Sequence, residues 1–160
     1  MIGPFRIEPL EGPADLDGVQ AVDRESFPSP WTREMYEAEL LHSGTSFILV
    51  GRVEGTAVAG YCSYRLVADE LQINNVAVGL AHRGRGLGRA LVQAAAAHGR
   101  RAGARVALLE VRRSNAQAQR LYLRLGFRQV GQRPRYYERP EEDALIFAAD
   151  VRNLGQDPAA

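Results

Sequence analysis

The chain has 160 residues and a formal net charge of +1, and 46% of its residues are hydrophobic, which suits one domain with a substantial core. Its single cysteine excludes a disulfide framework and a cysteine-rich zinc site, and its three histidines show no ligand spacing, so we expect no bound metal. All 20 basic residues are arginine, which excludes a P-loop lysine and a Schiff-base lysine.

The predicted elements begin with a short strand and two helices. Alternating residues predict a strand at 5–9, and apolar spacing with acids in the first turn predicts a helix at 15–24. A proline-marked loop covers 26–31. Thr32 is the predicted N-cap of the second helix. We expect the apolar face of that helix to comprise Met35, Ala38 and Leu41.

Three strands and a long helix follow. Because only a short turn separates the first two strands, they are predicted to form a hairpin, and the third strand is largely apolar. A glycine-rich turn then opens the helix. The predicted bounds are 46–53, 56–67 and 71–78 for the strands, 54–55 for the hairpin turn, 83–89 for the glycine-rich turn and about residue 102 for the end of the helix.

The last part of the chain is predicted to contain a buried strand, a helix and two closing strands joined by an acidic loop. Ser114 and Gln117 have the spacing of a capping box for the helix, and Gly126 is expected to end it. Its apolar stripe comprises Ala118, Leu121, Tyr122 and Leu125. The strands are predicted at 106–111, 127–137 and 144–151.

This order of elements predicts the α+β (mixed α/β) class. It combines an antiparallel, hairpin-rich half with a parallel strand–helix–strand unit, and its helices pack on one central sheet. We expect a single domain over residues 1–151 and a flexible C-terminal tail over 152–160. No segment reaches the ~20 apolar residues that span a bilayer, and no secretory signal opens the chain, so we expect a soluble cytoplasmic protein without membrane contact.

Charge is distributed unevenly along the chain. Residues 1–70 carry a net charge of −7, residues 71–137 carry +12, and residues 138–160 carry −4. Glu110 is the only acid in the basic middle segment. This segregation indicates one surface for an anionic ligand and another for a cationic one, unless folding mixes the charges in space and no patch forms.

The glycine-rich turn has the features of a phosphate site. Glycines let the backbone approach a ligand closely, and the N–H groups and dipole of the following helix favour an anion. Arginines in the turn make a pyrophosphate the natural occupant. Two alternatives stay open. One is a tight connection that binds nothing, and the other is a dinucleotide site with Glu110 on the ribose, although Arg89 stands where G-x-G-x-x-G needs its third glycine.

Several segments occur in the order found in a known family. The segment Arg83-Gly84-Arg85-Gly86-Leu87-Gly88 fits the motif R/Q-x-x-G-x-G/A, and the segments between Leu109 and Phe127 resemble a second cofactor-binding stretch. The chain resembles the GNAT acetyltransferases over about residues 5–150. The segments Phe27–Trp31, Arg135–Tyr137 and Glu142–Ala144 look like the substrate side of the bacterial members that acetylate the N-terminal alanine of proteins.

The resemblance implies a GNAT-type, mostly antiparallel sheet, acetyl-CoA as the cosubstrate and no metal. It assigns Glu110 as the general base and Tyr122 as the general acid. It implies that Val76, Ala77 and Val78 offer backbone groups to the pantetheine arm and the acetyl carbonyl. It also implies that Asn115, at the start of the next helix, contacts the cofactor. The implied pyrophosphate site comprises Gly84, Arg85, Gly86, Leu87, Gly88 and Arg89.

The chemistry of acetyl transfer suits these roles. An α-amine, with a pKa of about 7.7–8.0, must lose a proton before it attacks a thioester, and a partly buried carboxylate can accept that proton. A phenol can protonate the departing thiolate. Glu110 in a structural ion pair and Tyr122 as a core residue stay open as alternatives. Because no Ser, Cys and His constellation is present, direct transfer is favoured over a covalent acyl-enzyme.

Two flanking segments are expected to select the acceptor. They carry Trp31 on one side, and Tyr136 and Tyr137 with the acidic residues 138–143 on the other, although Trp31 alternatively anchors its loop to the core. We expect the acceptor to be a protein N-terminus that begins with alanine and continues with basic residues, as in a ribosomal protein, and we expect no direct nucleic-acid contact. The alternatives are a GNAT enzyme for lysine side chains or small amines, and a non-catalytic acyl-CoA-binding module.

Overall fold

The structure is a computed structural model that describes residues 5–42, 44–54, 57–138 and 140–154. Its elements are β1 (Phe5–Pro9), α1 (Pro13–Ser26), α2 (Arg33–Leu40), β2 (Ser46–Val53), β3 (Val58–Val67), β4 (Glu70–Val78), α3 (Leu87–Arg101), β5 (Val106–Arg112), α4 (Ala116–Leu125), β6 (Arg128–Glu138) and β7 (Glu141–Asp150), with 3₁₀ turns at Leu80–His82 and Val151–Asn153. The predicted order is confirmed, and the predicted bounds of β1 and β2 match. Gly55, Thr56 and residues 155–160 of the predicted tail lie outside the described residues.

The strands form one seven-stranded sheet in the order β1-β2-β3-β4-β5-β7-β6. The pair β4–β5 is parallel, and the five other neighbouring pairs are antiparallel. Helix α3 connects β4 to β5, so these elements are the predicted parallel strand–helix–strand unit. The predicted α+β class and the mostly antiparallel sheet are therefore confirmed.

Helices cover both faces of the sheet. Because successive side chains of a strand point to opposite faces, the adjacent residues Tyr61 and Cys62 of β3 belong to two different apolar clusters. One cluster packs α3 and α4 on the sheet, and the other packs α1 and α2 on the opposite face. The first includes Leu71, Leu91, Val92, Leu109 and Phe147, and the second includes Val19, Val22, Tyr36 and Val50.

The predicted apolar face of α2 is wrong. Met35 is 45% exposed and Leu41 is 84% exposed, and Ala38 is also exposed, whereas Tyr36 is fully buried. The reason is the Tyr36 hydroxyl, which lies 3.1 Å from the hydroxyl of Tyr61 and also donates to a buried carboxylate. The predicted N-cap is confirmed, because Thr32 Oγ1 accepts the Met35 N–H at 3.2 Å.

The predicted capping box of α4 is also wrong, although the helix itself is confirmed. Asn115 is the N-cap, and its Oδ1 accepts the Ala118 N–H at 3.1 Å. Ser114 instead donates its backbone N–H to Glu142 of β7, so it belongs to the preceding turn. Gly126 ends the helix with a φ of +108°, as predicted.

Two carboxylates of α1 are buried with different partners. Asp23 accepts hydrogen bonds from the hydroxyls of Tyr36 and Tyr61, and burial raises the pKa of Asp23. Asp15 pairs with Arg52, whose Nη2 lies 2.6 Å from Asp15 Oδ2, and hydrogen bonding by this guanidinium lowers the pKa of Asp15. Asp23 thus ties α1 to α2 and β3, and Asp15 ties α1 to β2.

The described chain continues past the sheet. Leu154 follows the last 3₁₀ turn and is only 2% exposed, so packed structure extends three residues beyond the predicted domain boundary at 151. In the part of the chain that the structure describes, no helix has the length and apolar character needed to cross a membrane.

Candidate active site

The site begins where two parallel strands separate. Strands β4 and β5 pair from Glu70↔Val106 to Ile73↔Leu109, and no pairing follows although both strands continue. Asn74 is the additional residue of a β-bulge against β3, because Ser63 pairs with Asn75 and the next residue of β3 pairs with Ile73. A bulge bends its strand, so it helps β4 to diverge from β5 and to open a gap at the edge of their shared register.

The first cleft, which we name the cofactor cleft, has a volume of about 420 Å³. Its walls are the end of β4, the glycine-rich turn with the first turn of α3, and one side of α4. The predicted cofactor residues that line it are Val76, Ala77, Val78, Gly84, Gly86, Leu87, Gly88, Arg89 and Asn115. Arg85, also predicted to hold the pyrophosphate, is exposed and is not among the lining residues.

The glycine-rich turn has the backbone geometry of an anion site. Gly84 and Gly86 adopt positive φ values of +79° and +87°, a conformation that favours glycine. Gly86 is the N-cap of α3 and offers no side chain to the first N–H groups of the helix, so those groups are available to an anion at the helix N-terminus. Gly88 lies in a narrow place, because a β-carbon added there would lie 3.5 Å from Leu121 Cδ2 and 3.8 Å from Val78 Cγ2.

Arg83 lines the cofactor cleft and also forms hydrogen bonds that hold the glycine-rich turn in place. Its Nε donates to the backbone oxygen of Val78 at 2.8 Å, and its Nη2 donates to Ser26 Oγ at 3.2 Å. The side chain therefore ties the glycine-rich turn to β4 and to the end of α1. The cleft lining also contains His82, Gln117 and Arg124, which were not predicted as site residues. For Gln117 and Arg124, the available signal was their spacing with Leu121, which places all three on one face of α4.

The second cleft, which we name the acceptor cleft, has a volume of about 660 Å³. The loop between α1 and α2 forms one side with Phe27, the two prolines, Trp31 and the start of α2. The β6–β7 hairpin forms the other side, and the diverging ends of β4 and β5 form the floor. The predicted residues Glu110, Trp31, Tyr136 and Tyr137 all line this cleft.

A bulge in β6 brings both tyrosines into the acceptor cleft. Adjacent residues of a regular strand point to opposite faces, but the β6–β7 register shifts between Arg133 and Tyr137, and Arg135 has a φ of +55°. The ring centroids of Tyr136 and Tyr137 are 5.1 Å apart. Burial is the main cause that raises the pKa of Tyr137 to about 12, and the negative charge of Glu110 is the second. The same two causes raise the pKa of Tyr136.

Glu110 lies at the end of β5 with its side chain 34% exposed. The Tyr136 hydroxyl donates to Glu110 Oε2 at 3.4 Å, and Arg133 Nη2 lies 3.9 Å from Glu110 Oε1. An exposed pair at that distance contributes little to stability. The ion-pair alternative is thus present in the geometry, but it leaves the carboxylate accessible from the cleft.

The predicted acidic loop does not exist as a loop that faces a substrate. Glu141, Glu142 and Asp143 belong to β7. They lie beside arginines, with pairs Arg135–Glu141 at 3.3 Å, Arg112–Glu142 at 3.2 Å and Arg113–Asp143 at 3.6 Å. Hydrogen bonding by Ser114 lowers the pKa of Glu142. The acids that line the acceptor cleft within the described chain are instead Glu110 and Glu138.

The two clefts meet at a shared set of residues. These are Phe27, Val76, Asn115, Ala118 and Tyr122. The Tyr122 ring packs against Phe127 and Phe147, with centroids 5.7 Å and 6.3 Å away, and the residue is only 7% exposed. Burial raises the pKa of Tyr122, so its hydroxyl is protonated at neutral pH. The ring is a core residue, and the same side chain also lines the junction.

The described part of the chain contains no cluster of potential metal ligands. No group of three or more His, Cys, Asp or Glu residues there could hold an ion. Cys62 is buried, and burial raises the pKa of its thiol, so it is a poor nucleophile. The geometry offers a carboxylate, Glu110, in the acceptor cleft and a phenol, Tyr122, at the junction of the two clefts.

A parallel strand pair that opens beside a glycine-rich helix start, with the junction described above, defines the class of protein. The chain belongs to the acetyltransferase (GNAT) family, whose model matches residues 16–127. It is accordingly an acyltransferase.

Within this family, two similar proteins share one named activity, and a third is similar in structure. A Bacillus subtilis protein, provisionally named [ribosomal protein bS18]-alanine N-acetyltransferase, is 40% identical over 83% of this chain and 87% of its own length. The Escherichia coli enzyme of that name is 29% identical over 86% of this chain and 92% of its own length. The crystal structure of the Escherichia coli enzyme superposes with a TM-score of 0.81 over 92% of this chain and 94% of that one. Ard1 from Thermoplasma volcanium gives a TM-score of 0.83 at 25% identity, over 92% of this chain and 98% of its own.

Proposed function

We propose that the protein transfers the acetyl group of acetyl-CoA to the N-terminal α-amine of a protein, with alanine of a ribosomal protein as the expected acceptor. The observation that carries the proposal is the junction of the cofactor cleft with the acceptor cleft at Tyr122, together with Glu110 in the lining of the acceptor cleft. GNAT acetyltransferases use acetyl-CoA. The names of the Bacillus subtilis and Escherichia coli relatives give the alanine of ribosomal protein bS18 as their acceptor.

The cofactor cleft suits a long, phosphorylated thioester. Its glycine-rich turn presents the N-terminal N–H groups of α3, which favour a pyrophosphate. The end of β4 has no strand partner on its β5 side, so the backbone groups of Val76, Ala77 and Val78 are available to a pantetheine arm and an acetyl carbonyl. Asn115 lies at the junction, where its side chain also caps α4.

The proposed step is a direct transfer. The nitrogen of the α-amine forms a bond to the thioester carbonyl carbon, and the bond between that carbon and the CoA sulfur breaks. The proton that the amine loses goes to the carboxylate of Glu110, directly or through water, and the sulfur receives a proton from the Tyr122 hydroxyl. The raised pKa of Tyr122 supports the donor role because the group holds its proton at neutral pH.

The acceptor cleft suits an extended peptide. Trp31 and the adjacent prolines give it an apolar side, and Tyr136 and Tyr137 give it an aromatic side with polar hydroxyl groups. Glu110 and Glu138 are the acids available to attract a cationic peptide, a smaller number than the sequence predicted. We therefore expect a preference for basic residues after the alanine that is modest and sensitive to salt.

The proposal is tested by acetyl-CoA turnover with four acceptors, and mass spectrometry locates the acetyl group. The first is an alanine-initiated peptide with basic residues, and the second carries acidic residues after the alanine. The third is the basic peptide with a blocked N-terminus and an internal lysine, and the fourth is a set of small amines. We expect the first peptide to be the best substrate and to be acetylated on its α-amine.

Two results would contradict the proposal. Faster turnover of the blocked lysine peptide or of a small amine would assign the enzyme to the competing acceptor class. Tighter binding of NAD than of CoA would assign the glycine-rich turn to a dinucleotide and remove acetyl transfer from this cleft. Equal turnover of the acidic and basic peptides at low salt would remove only the charge preference.

A further inference from the structure

Three arginines of the described chain line the cofactor cleft. Arg83 is bound to Val78 and Ser26, and Arg89 belongs to the predicted pyrophosphate site, whereas Arg124 has no assigned role. Arg124 lies on α4 and lines the cleft together with Gln117 and Leu121. These residues are spaced i, i+4 and i+7, so they form one stripe along the helix. The stripe faces the glycine-rich turn, because Leu121 lies next to Gly88.

Arg124 belongs to the end of the cleft remote from the acetyl group. Residues two positions apart in a helix are separated by about 200° around its axis. Tyr122 and Arg124 therefore point to nearly opposite sides of α4. Tyr122 lines both clefts, whereas Arg124 lines the cofactor cleft alone. Asn115, at the junction, precedes Arg124 by about 13 Å along the helix axis.

The pyrophosphate position lies between these two ends. A β-carbon at Gly88, in the first turn of α3, would lie 3.5 Å from Leu121, so this part of α4 is level with the N–H groups that favour the pyrophosphate. Arg124 is one helical turn beyond Leu121. The part of CoA beyond its pyrophosphate is the ribose, which carries a 3′-phosphate monoester.

The charge around Arg124 suits a phosphate monoester. Helix α4 contains no acid, and Arg124 forms no salt bridge with any residue that the structure describes. By contrast, Arg113 and Arg135 each contact an acid of β7. A guanidinium can donate two parallel hydrogen bonds to a phosphate, and such charge-assisted bonds are stronger than neutral ones.

We propose that Arg124 binds the 3′-phosphate of CoA and thereby makes the protein discriminate CoA from 3′-dephospho-CoA. The inference rests on the proposed use of acetyl-CoA. It adds a specificity-determining residue on the wall of the cleft opposite the glycine-rich turn, and it separates recognition of the monoester from recognition of the pyrophosphate.

The test is calorimetric titration of the wild-type protein and two variants with CoA and with 3′-dephospho-CoA. Arg124→Gln removes the proposed contact. Arg120→Gln is the matched control, because Arg120 is an exposed arginine one turn earlier on the same helix and is not among the cleft-lining residues. We expect the wild-type protein and Arg120→Gln to bind CoA on the order of tenfold more tightly than dephospho-CoA. Arg124→Gln should lose that preference and keep the wild-type affinity for dephospho-CoA.

Three results would overturn the inference. Equal weakening of both ligands by Arg124→Gln would place this side chain on the pyrophosphate. An equal loss of preference in Arg120→Gln would show a general effect of charge. Wild-type protein that binds neither ligand would overturn the proposed use of acetyl-CoA itself, an outcome distinct from the first two, in which CoA binding persists.

Discussion

The cofactor cleft and the acceptor cleft are built in different ways. The cofactor cleft takes most of its wall from short segments that follow one another in the chain, and the contacts proposed for acetyl-CoA come mainly from backbone groups of β4 and of the α3 N-terminus. The acceptor cleft is assembled from side chains of five separate segments, 27–35, 74–76, 110–112, 115–122 and 136–138. A backbone site can recognise a common ligand with few side-chain requirements, whereas side chains from separate elements can change the acceptor without disturbing the cofactor.

The largest effect is expected for Glu110, the proposed general base in the acceptor cleft. Glu110→Gln should lower kcat by about 10²-fold or more, the usual scale for loss of a general base, while the CoA dissociation constant stays nearly unchanged. Steady-state kinetics and calorimetry measure the two quantities. Glu138→Gln is the matched control because Glu138 is a second acid of the acceptor cleft. Tyr122→Phe should also lower kcat, by a smaller factor if water can protonate the thiolate.

Full activity of Glu110→Gln across about pH 6 to 9 would show that the carboxylate is not the base. The pair with Arg133 spans 3.9 Å and is partly exposed, so its loss should change the free energy of unfolding by less than ~1 kcal/mol. A variant that fails to fold would therefore support the structural ion-pair alternative instead.

Gly88 tests the cofactor side of the comparison. Valine at this position should push its methyl groups toward Leu121 and Val78 and narrow the cleft, so that CoA binds roughly tenfold more weakly, which corresponds to ~1.4 kcal/mol. Gly88→Ala is the control, because its β-carbon would lie 3.5 Å from Leu121, an ordinary contact distance. Calorimetric titration of both folded variants measures the effect. Unchanged CoA affinity in Gly88→Val would mean that the phosphate site has been misplaced.

Trp31 tests the acceptor side. Its ring lines the acceptor cleft, where we propose that it contacts the peptide, and its centroid also lies 5.2 Å from that of Tyr36, so the ring packs against α2 as well. Trp31→Ala should raise the peptide KM by several-fold to about tenfold, the range of an aromatic contact residue, and should leave the CoA dissociation constant unchanged. Trp31→Phe should restore most of the peptide affinity. A rise in the acetyl-CoA KM alone would contradict the separation of the two clefts.

The smallest effect concerns Asp23, which ties α1 to α2 on either side of the loop that carries Trp31. Because the pKa of Asp23 is raised in the fold, the folded chain keeps a proton that the unfolded chain releases, and this contribution to stability decreases as pH rises from the unfolded pKa through the folded one. The pKa of Asp15 is lowered, so its contribution is present above the unfolded pKa and is lost as pH falls through the folded value.

Asp23→Asn separates these two contributions. The free energy of unfolding of the variant, relative to the wild type, should increase with pH above about pH 4, by up to ~1.4 kcal/mol for each unit by which the pKa of Asp23 is raised. Denaturant titrations at a series of pH values measure this difference. Asp17→Asn, which removes a 70% exposed carboxylate of the same helix that pairs with Arg33, is the control for loss of a charge from α1. A flat difference for Asp23→Asn would contradict the assigned shift.

The same contrast explains which features the sequence could predict. Local signals were sufficient for β1, for the N-cap Thr32 and for the end of α4 at Gly126, because each depends on neighbouring residues. They failed for the face of α2, where the buried partners of Tyr36 lie in α1 and β3. They failed again for Ser114, whose N–H partner is Glu142 in a later strand.

The candidate site divides in a similar way. Half of the described residues that line the cofactor cleft were predicted from the sequence as cofactor residues, mainly because they lie in the glycine-rich motif and at the end of the preceding strand. Arg124 was missed because its place in the lining depends on how α4 faces the turn. The charge of the acceptor side was misjudged because cross-strand contacts pair the acids of β7 with arginines. The bulge around Arg135, which brings two adjacent tyrosines into one cleft, depends on the β6–β7 register and has no local signal.

The most direct test of the account asks whether the two clefts form one continuous site. A conjugate that joins the CoA sulfur through an acetyl-length linker to the α-amine of an alanine-initiated peptide should fill both clefts at once, and linked ligands gain 10²- to 10⁴-fold over their separate parts. Calorimetric titration of the wild-type protein should give an affinity about 100-fold or more above that of CoA. The gain should fall in Trp31→Ala and should be smaller for a conjugate made through a lysine side chain. An affinity equal to that of CoA alone would show that the peptide does not enter the acceptor cleft, and it would contradict the account.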